Sequence, residues 1–248
     1  MRTRLVLFDA FDTLIKPRNA VQSQYSYVFN KYNISIAPDE VKERFKVAFQ
    51  ELSKLAPNYG KSISWTPNIW WSNIIKRVLE QDDRYGYPLT YAVDPKTLNN
   101  IQNELLHRFA SSEGYEALPG AYDTLAEIKS QGVKCGLVSN ADDRILSVLE
   151  SLNLKQFFSS ISLSYDVGFE KPDYRIFDHA LQQSNLEDIK PKHVLFLGDE
   201  YKSDYIGAQQ FGIRPLLFYQ EGYHKTISED ILKSVQYINN IPDVLSFL

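Results

Sequence analysis

The sequence predicts an α/β protein whose parallel sheet is interrupted by an inserted helical block, and three observations carry that expectation. The segment "LVLF", residues 5 to 8, is a continuous apolar run of the kind a strand covered on both faces requires. From "LPGAYDTLAEIKSQG" onward, helical patterns alternate with short apolar runs, the order of βαβ units and a parallel sheet. Between these regions the apolar period stays helical for about a hundred residues.

The first strand ends on Asp9, and a second carboxylate, Asp12, follows three residues later in "LVLFDAFDTLIKP". In open α/β sheets ligands bind beyond the carboxyl ends of the strands, so Asp9 stands where chemistry tends to sit. After Pro17 the helical block opens. "APDEVKERFKVAFQELSKLAP" places Val41, Phe45, Phe49, Leu52 and Leu55 along one helical stripe, with acids in the first turn. "WTPNIWWSNIIKRVLE" offers Thr66 as a cap and Pro67 as the first helical residue, and "VDPKTLNNIQNELLHRF" repeats the device with Asp94 and Pro95. Trp65, Trp70 and Trp71 all fall in this block, where aromatic residues at helical spacing read as core, with a substrate pocket as the alternative. The later strands are expected at Val133 to Val138, near Ile161, at His193 to Leu197 and at Pro215 to Phe218. The "LVLF" strand has to join them, so the helical block is an insertion, with hinges near Lys16 to Arg18 and Ser111 to Pro119.

Composition narrows the function classes. The chain has 248 residues, 44% of them hydrophobic, enough for a core with an insertion and too apolar for a disordered chain. A net charge of -4 without a basic stripe argues against a nucleic-acid partner. The single cysteine, Cys135 in "VKCGLVSN", reads as strand packing in a reducing compartment. No apolar stretch approaches the ~20 residues a membrane span needs. The start "MRTRLVLF" enters a strand too soon for a targeting leader. A cytoplasmic setting is expected, with neither membrane nor nucleic acid as partner and a monomer or weak dimer as the assembly.

If the strands lie parallel, their ends bring together Asp9, Ser139 and Asn140 of "GLVSN", and Asp199 of "GDEYKSD". Asp9 and Asp199 supply hard oxygen ligands suited to Mg²⁺, which takes one or two carboxylates plus a phosphate. Lys171 of "GFEKPDYRIF" offers a positive charge to a nucleophile and to a phosphoryl oxygen. Ser139 adds a hydroxyl, and the turn after it adds backbone N–H groups. This set is the equipment of phosphoryl transfer through an aspartyl-phosphate. Asp204 reads either as a helix cap or as support behind the metal ligands, and Asp12 either as a local backbone anchor or as part of the chemistry. The four histidines, His107, His179, His193 and His224, show no metal-ligand spacing.

Four short motifs in order, "DAFDT", "SN", "KP" preceded by "GFE", and "GDEYKSD", resemble those of the haloacid dehalogenase (HAD) superfamily, and the resemblance covers nearly the whole chain. It implies a Rossmann-like HAD core, residues 1–16 and 117–248, and a helical C1 cap, residues 17–116. Within the cap, "APNYG" and "WW" resemble one particular capped subgroup. The resemblance further implies a hydrolase of the phosphoric monoester type, with Asp9 as nucleophile and Lys171 beside it. Mg²⁺ would be held by Asp9, the Phe11 carbonyl and Asp199, and the substrate would be a small phosphorylated metabolite. One departure stands out: Phe11 occupies the place where phosphatases of the superfamily carry a second Asp as general acid and base, and Asp12 stands where Gly is common. An aromatic residue at that place is also found in 2-haloacid dehalogenases. Those enzymes, however, work without metal, lack the acidic fourth motif and carry an arginine in the first cap helix that "QYSYVFNKY" does not supply. The alternatives to a weak or specialised phosphatase are therefore a dehalogenase-type hydrolase or a fold kept for binding.

Overall fold

The computed structural model describes residues 2–80 and 93–248. The chain divides into two compact units, Met1–Lys16 with Glu116–Leu248, and Pro17–Tyr115. Eight strands are formed among the described residues: β1 (Leu5–Phe8), β2 (Ile15–Pro17), β3 (Tyr115–Ala117), β4 (Lys134–Ser139), β5 (Phe158–Leu163), β6 (Val194–Gly198), β7 (Arg214–Phe218) and β8 (Tyr237–Ile238). Six of them make one sheet in the order β5-β4-β1-β6-β7-β8, and β2 pairs with β3 separately. Every pairing in the large sheet is parallel. The strands expected from apolar runs are present; β2, β3 and β8 are too short for periodicity to reveal.

Strand alternation explains why "LVLF" carries no polar residue. Leu5 and Leu7 pack with Val194 and Phe196 against Ile176, Phe177 and Ala180 of the helix Tyr174–Gln183. Val6 and Phe8 point to the opposite face and are equally buried. A central strand with both faces covered has no solvent side on which a polar residue could sit. Phe8 lies level with Leu137 of β4 and Leu197 of β6. Asp9, one residue on, donates its backbone N–H to Leu197 O at 2.9 Å. From β1 the chain order runs outward through β4 and β5, then returns to β6 on the other flank. The reversal places a crevice beyond the carboxyl ends of β1 and β6, where doubly wound sheets bind their ligands.

The unit Pro17–Tyr115 is helical, with helices Val21–Lys31, Pro38–Leu55, Pro67–Leu79 and Pro95–Arg108. The Thr66 hydroxyl accepts from Ile69 N, and Asp94 accepts from Lys96 N and Thr97 N, so both expected caps satisfy donors of the first turn. Trp70 is core, its indole N–H donating to Ala56 O at 2.9 Å, while Trp65 and Trp71 pack half-buried against the same cluster. The stripe expected on Pro38–Leu55 is turned: Val41, Arg44, Ala48 and Leu52 face inward, whereas Phe49 and Leu55 are exposed. Arg44 causes the turn. Its guanidinium is buried and bonded to Glu40 one turn earlier and to Val78 O of another helix, partners that an apolar count does not register.

The end of β6 shapes the crevice. After Gly198 and Asp199 the chain enters a π-helical turn, Tyr201–Ile206, which swings the Asp204 side chain back over Gly198. A Cβ built on Gly198 would lie 2.4 Å from Asp204 Oδ2 and 2.5 Å from its Cγ. Only glycine leaves that space. Gly198→Ala is therefore expected to displace Asp204 and cost about 1–3 kcal/mol, as overpacking does. A lowered urea midpoint at unchanged slope checks this; a midpoint equal to that of the wild type contradicts it.

Candidate active site

Lys171 lies at the centre of the crevice. Its Nζ sits 2.6 Å from Asp9 Oδ1 and 2.6 Å from Asp204 Oδ1, and its side chain is 2% exposed. The Phe196 ring lies 5.4 Å beneath the ammonium. Lys171 arrives on the loop after β5, and its backbone is gripped at both polar atoms by one side chain. Its N–H donates to Asn140 Oδ1 at 2.6 Å, and its carbonyl accepts from Asn140 Nδ2 at 3.0 Å. The Asn140 amide, expected to meet a phosphate, spends its oxygen and one N–H on the main chain of the lysine. Ser139 ends β4 buried, and its hydroxyl makes no hydrogen bond among the described residues.

Asp9, Asp199 and Asp204 bring ligand oxygens within 4.8 Å of one another. The two oxygens of Asp204 are already used, one against Lys171 and the other accepting from Glu200 N at 3.0 Å. Asp199 Oδ1 accepts from the Thr13 hydroxyl at 3.3 Å. Thr13 was not singled out from the sequence, although it lies inside "DAFDT" and its place in the motif was the available signal. Asp9 gives one oxygen to Lys171 and keeps the other open to the crevice. Asp9 and Asp204 face one ammonium and Asp199 brings a third carboxylate to the same point, so acidic groups outnumber the one cation among them. That residue set fits a divalent cation, with Asp9 and Asp199 offering open oxygens and the carbonyl of Phe11 between them in sequence.

The electrostatics agree with this reading. Burial, followed by the charges of Asp9, Asp204 and Asp12, pushes the Asp199 carboxyl up to about 8. Burial also pushes Asp204 up to about 6, opposed by the neighbouring Lys171 charge. Burial by itself would lower Lys171, but Asp204 and Asp9 outweigh it and hold the ammonium charged well above the usual lysine range.

Asp12 has a role set by its neighbours. Its backbone is left-handed, φ 54°, the conformation glycine adopts most readily. Its carboxylate accepts from the Tyr223 hydroxyl at 2.6 Å, and its carbonyl is 2.8 Å from His224 Nε2. No sequence signal links these residues, which lie 211 and 212 positions apart. Phe11 stands beside this turn with no group that transfers a proton.

Comparison with known proteins matches this arrangement to a family. The sequence pattern of haloacid dehalogenase-like hydrolases matches residues 3–212. The haloacid dehalogenase-like hydrolase domain-containing protein 3 of Danio rerio is 32% identical over 90% of this chain and 88% of its own length. The human protein of that name is 29% identical over 88% of this chain and 82% of its own. Among solved structures, the putative HAD-hydrolase YfnB from Bacillus subtilis, determined bound to magnesium, superposes with a TM-score of 0.69 at 20% identity, over 100% of this chain and 99% of its own. The L-2-haloacid dehalogenase RSc1362 also reaches 0.69, at 17% identity, over 100% of this chain and 99% of its own. The parallel sheet, the order of the four motifs and the match along most of the chain lead to one conclusion: this protein belongs to the haloacid dehalogenase-like hydrolase family.

Proposed function

We propose that the protein is a magnesium-dependent hydrolase of small phosphate monoesters that works through an aspartyl-phosphate on Asp9. The observation that carries this reading is the convergence of Asp9, Asp199 and Asp204 around a single buried ammonium, a charge set that calls for a dication and an anionic substrate together. Asp9 Oδ attacks phosphorus, the bond from phosphorus to the ester oxygen breaks, and that oxygen leaves with its electron pair. Water then attacks the phosphorus of the aspartyl-phosphate, returning Asp9 as a carboxylate and releasing inorganic phosphate. Lys171 bonds Asp9 Oδ1 and offers its charge to the phosphoryl oxygens. The Ser139 hydroxyl, at the end of β4, and the backbone N–H groups of the following turn would donate to those oxygens. Asn140 and Asp204 keep Lys171 in place. Bound to Asp9, Asp199 and the Phe11 carbonyl, a magnesium ion would neutralise charge developing on the phosphoryl group.

The step left without help is protonation of the leaving oxygen. Phe11 cannot donate a proton, and the Asp12 carboxylate is already engaged by Tyr223. Solvent therefore supplies the proton, and turnover is slow. Esters with acidic leaving groups, such as aryl phosphates, depend little on a general acid, so they should be hydrolysed much faster than alkyl phosphates. Phe11→Asp should raise alkyl phosphate turnover by about 10²- to 10⁴-fold, and Asp9→Asn should abolish hydrolysis of both. Steady-state rates over a panel of phosphate esters with magnesium check this. Silence of wild type and Phe11→Asp alike would replace the reading with a binding role, and metal-independent turnover of 2-haloacids would replace it with dehalogenation.

Magnesium also has a thermodynamic signature. Asp199 titrates near 8 folded and near 4 unfolded, so between those values the folded state binds more protons and metal-free stability falls as pH rises. A dication competes with that proton. The rise in melting temperature on adding magnesium is expected to be larger at pH 8.5 than at pH 6 and to be lost in Asp199→Asn, as differential scanning calorimetry would read.

A further inference from the structure

The loop after β7 holds the motif that carries Asp9. We propose that Tyr223 and His224 are positioning residues, locking the Asp9–Thr13 turn in the one shape from which Asp9 and the Phe11 carbonyl can share a cation. This inference rests on the metal reading given under Proposed function.

Asp12 is the pivot of the turn. Its left-handed φ of 54° is less favourable for aspartate than for glycine, and the structure holds it in place. Three bonds do. Asp12 N–H donates to Ile15 O at 2.7 Å, its carboxylate accepts from Tyr223 at 2.6 Å, and its carbonyl accepts from His224 Nε2 at 2.8 Å. The direction of the last bond follows from the other ring nitrogen. Gln220 N–H donates to His224 Nδ1 at 2.8 Å, so the imidazole proton lies on Nε2 and points at the Asp12 carbonyl. The Phe218 and Tyr223 rings meet the imidazole edge to face, with centroids 5.0 Å and 4.7 Å away, which fixes its plane.

The loop is itself anchored, which lets it act as a clamp. Gln220 Nε2 donates to Asn239 O at 2.7 Å, and Asn239 Nδ2 donates to Tyr219 O at 2.6 Å, tying the loop to the segment after β8. Lys225 pairs with Glu200, next to Asp199. One loop thus grips the segments carrying two of the candidate ligands. The Asp12 peptide follows that of Phe11 directly, so fixing the Asp12 carbonyl and carboxylate constrains the direction of the Phe11 carbonyl. Where glycine stands at this position the turn closes without such support; here Asp12 requires it.

The test is magnesium binding measured by titration calorimetry, together with hydrogen–deuterium exchange over residues 9–15 of the metal-free protein. Tyr223→Phe and His224→Ala should each weaken magnesium binding by about tenfold, as loss of a residue behind a metal ligand does, and should speed exchange in that segment. Asp12→Gly adopts the left-handed turn without strain and removes the oxygen that Tyr223 holds. In the Asp12→Gly background Tyr223→Phe should change nothing further, while His224→Ala should keep its effect because the carbonyl remains. A purely structural loop would lower the melting temperature of these variants and leave magnesium affinity as in the wild type, and that result overturns the proposal. Unchanged exchange across residues 9–15 in both variants overturns it as well, whatever the metal does. A wild type that binds no magnesium, with exchange accelerated as expected, refutes the metal reading of the site and leaves the clamp on the turn supported.

Discussion

The ammonium of Lys171 is the interaction on which the rest of the site depends. Two buried carboxylates, Asp9 and Asp204, face it at 2.6 Å, and their mutual repulsion in a water-poor crevice would otherwise be prohibitive. Removing one member of such a buried set leaves charge uncompensated, at a cost of roughly 3–5 kcal/mol. The surrounding architecture serves this one group. Asn140 grips its main chain at both polar atoms, Phe196 lies under it, and Gly198 leaves the space that Asp204 occupies to reach it. Asn140 follows the end of β4 and Gly198 ends β6, so the sheet sets the position of the charge.

Topology explains why these residues meet. The order β5-β4-β1-β6-β7-β8 puts β1 between β4 and β6, and the chain reverses its outward course there. A parallel sheet aligns all strand carboxyl ends on one edge, so residues far apart in sequence converge without long side chains having to reach. Asp9 lies 162 positions from Lys171 and Thr13 lies 186 from Asp199, yet both pairs are in hydrogen-bonding range. The same edge carries the loop after β7, through which Tyr223 and His224 meet Asp12.

The site separates two requirements that phosphatases usually satisfy together. The parts that bind charge are all present: Asp9, Asp199 and Asp204 with Lys171 among them. On the proposed reading the part that would move a proton is missing, because Phe11 carries no such group and the Asp12 carboxylate is bonded to Tyr223. On the proposed reading, metal and phosphate affinity would depend on the first set and rates with poor leaving groups on the second, which would make leaving-group acidity the informative variable.

Much of this was legible from local pattern. Apolar runs marked β1, its neighbours β4 and β6, and β7 beyond them, because a strand covered on both faces leaves little place for a polar residue. Asp9, Ser139 and Asp199 announced themselves by standing directly after such runs, and the helix caps Thr66 and Asp94 by their place before proline. What the tertiary structure alone decided are the partners of each polar group. Buried Arg44 turned the expected stripe of its helix, since one of its partners, Val78 O, lies on a neighbouring helix. Asn140 became the grip on Lys171, Asp204 its counter-charge, and Tyr223 with His224 the clamp on Asp12. The physical reason is the same in each case: apolar burial follows a period written along one segment, whereas a hydrogen bond or ion pair requires a partner whose position is set only when distant segments pack together.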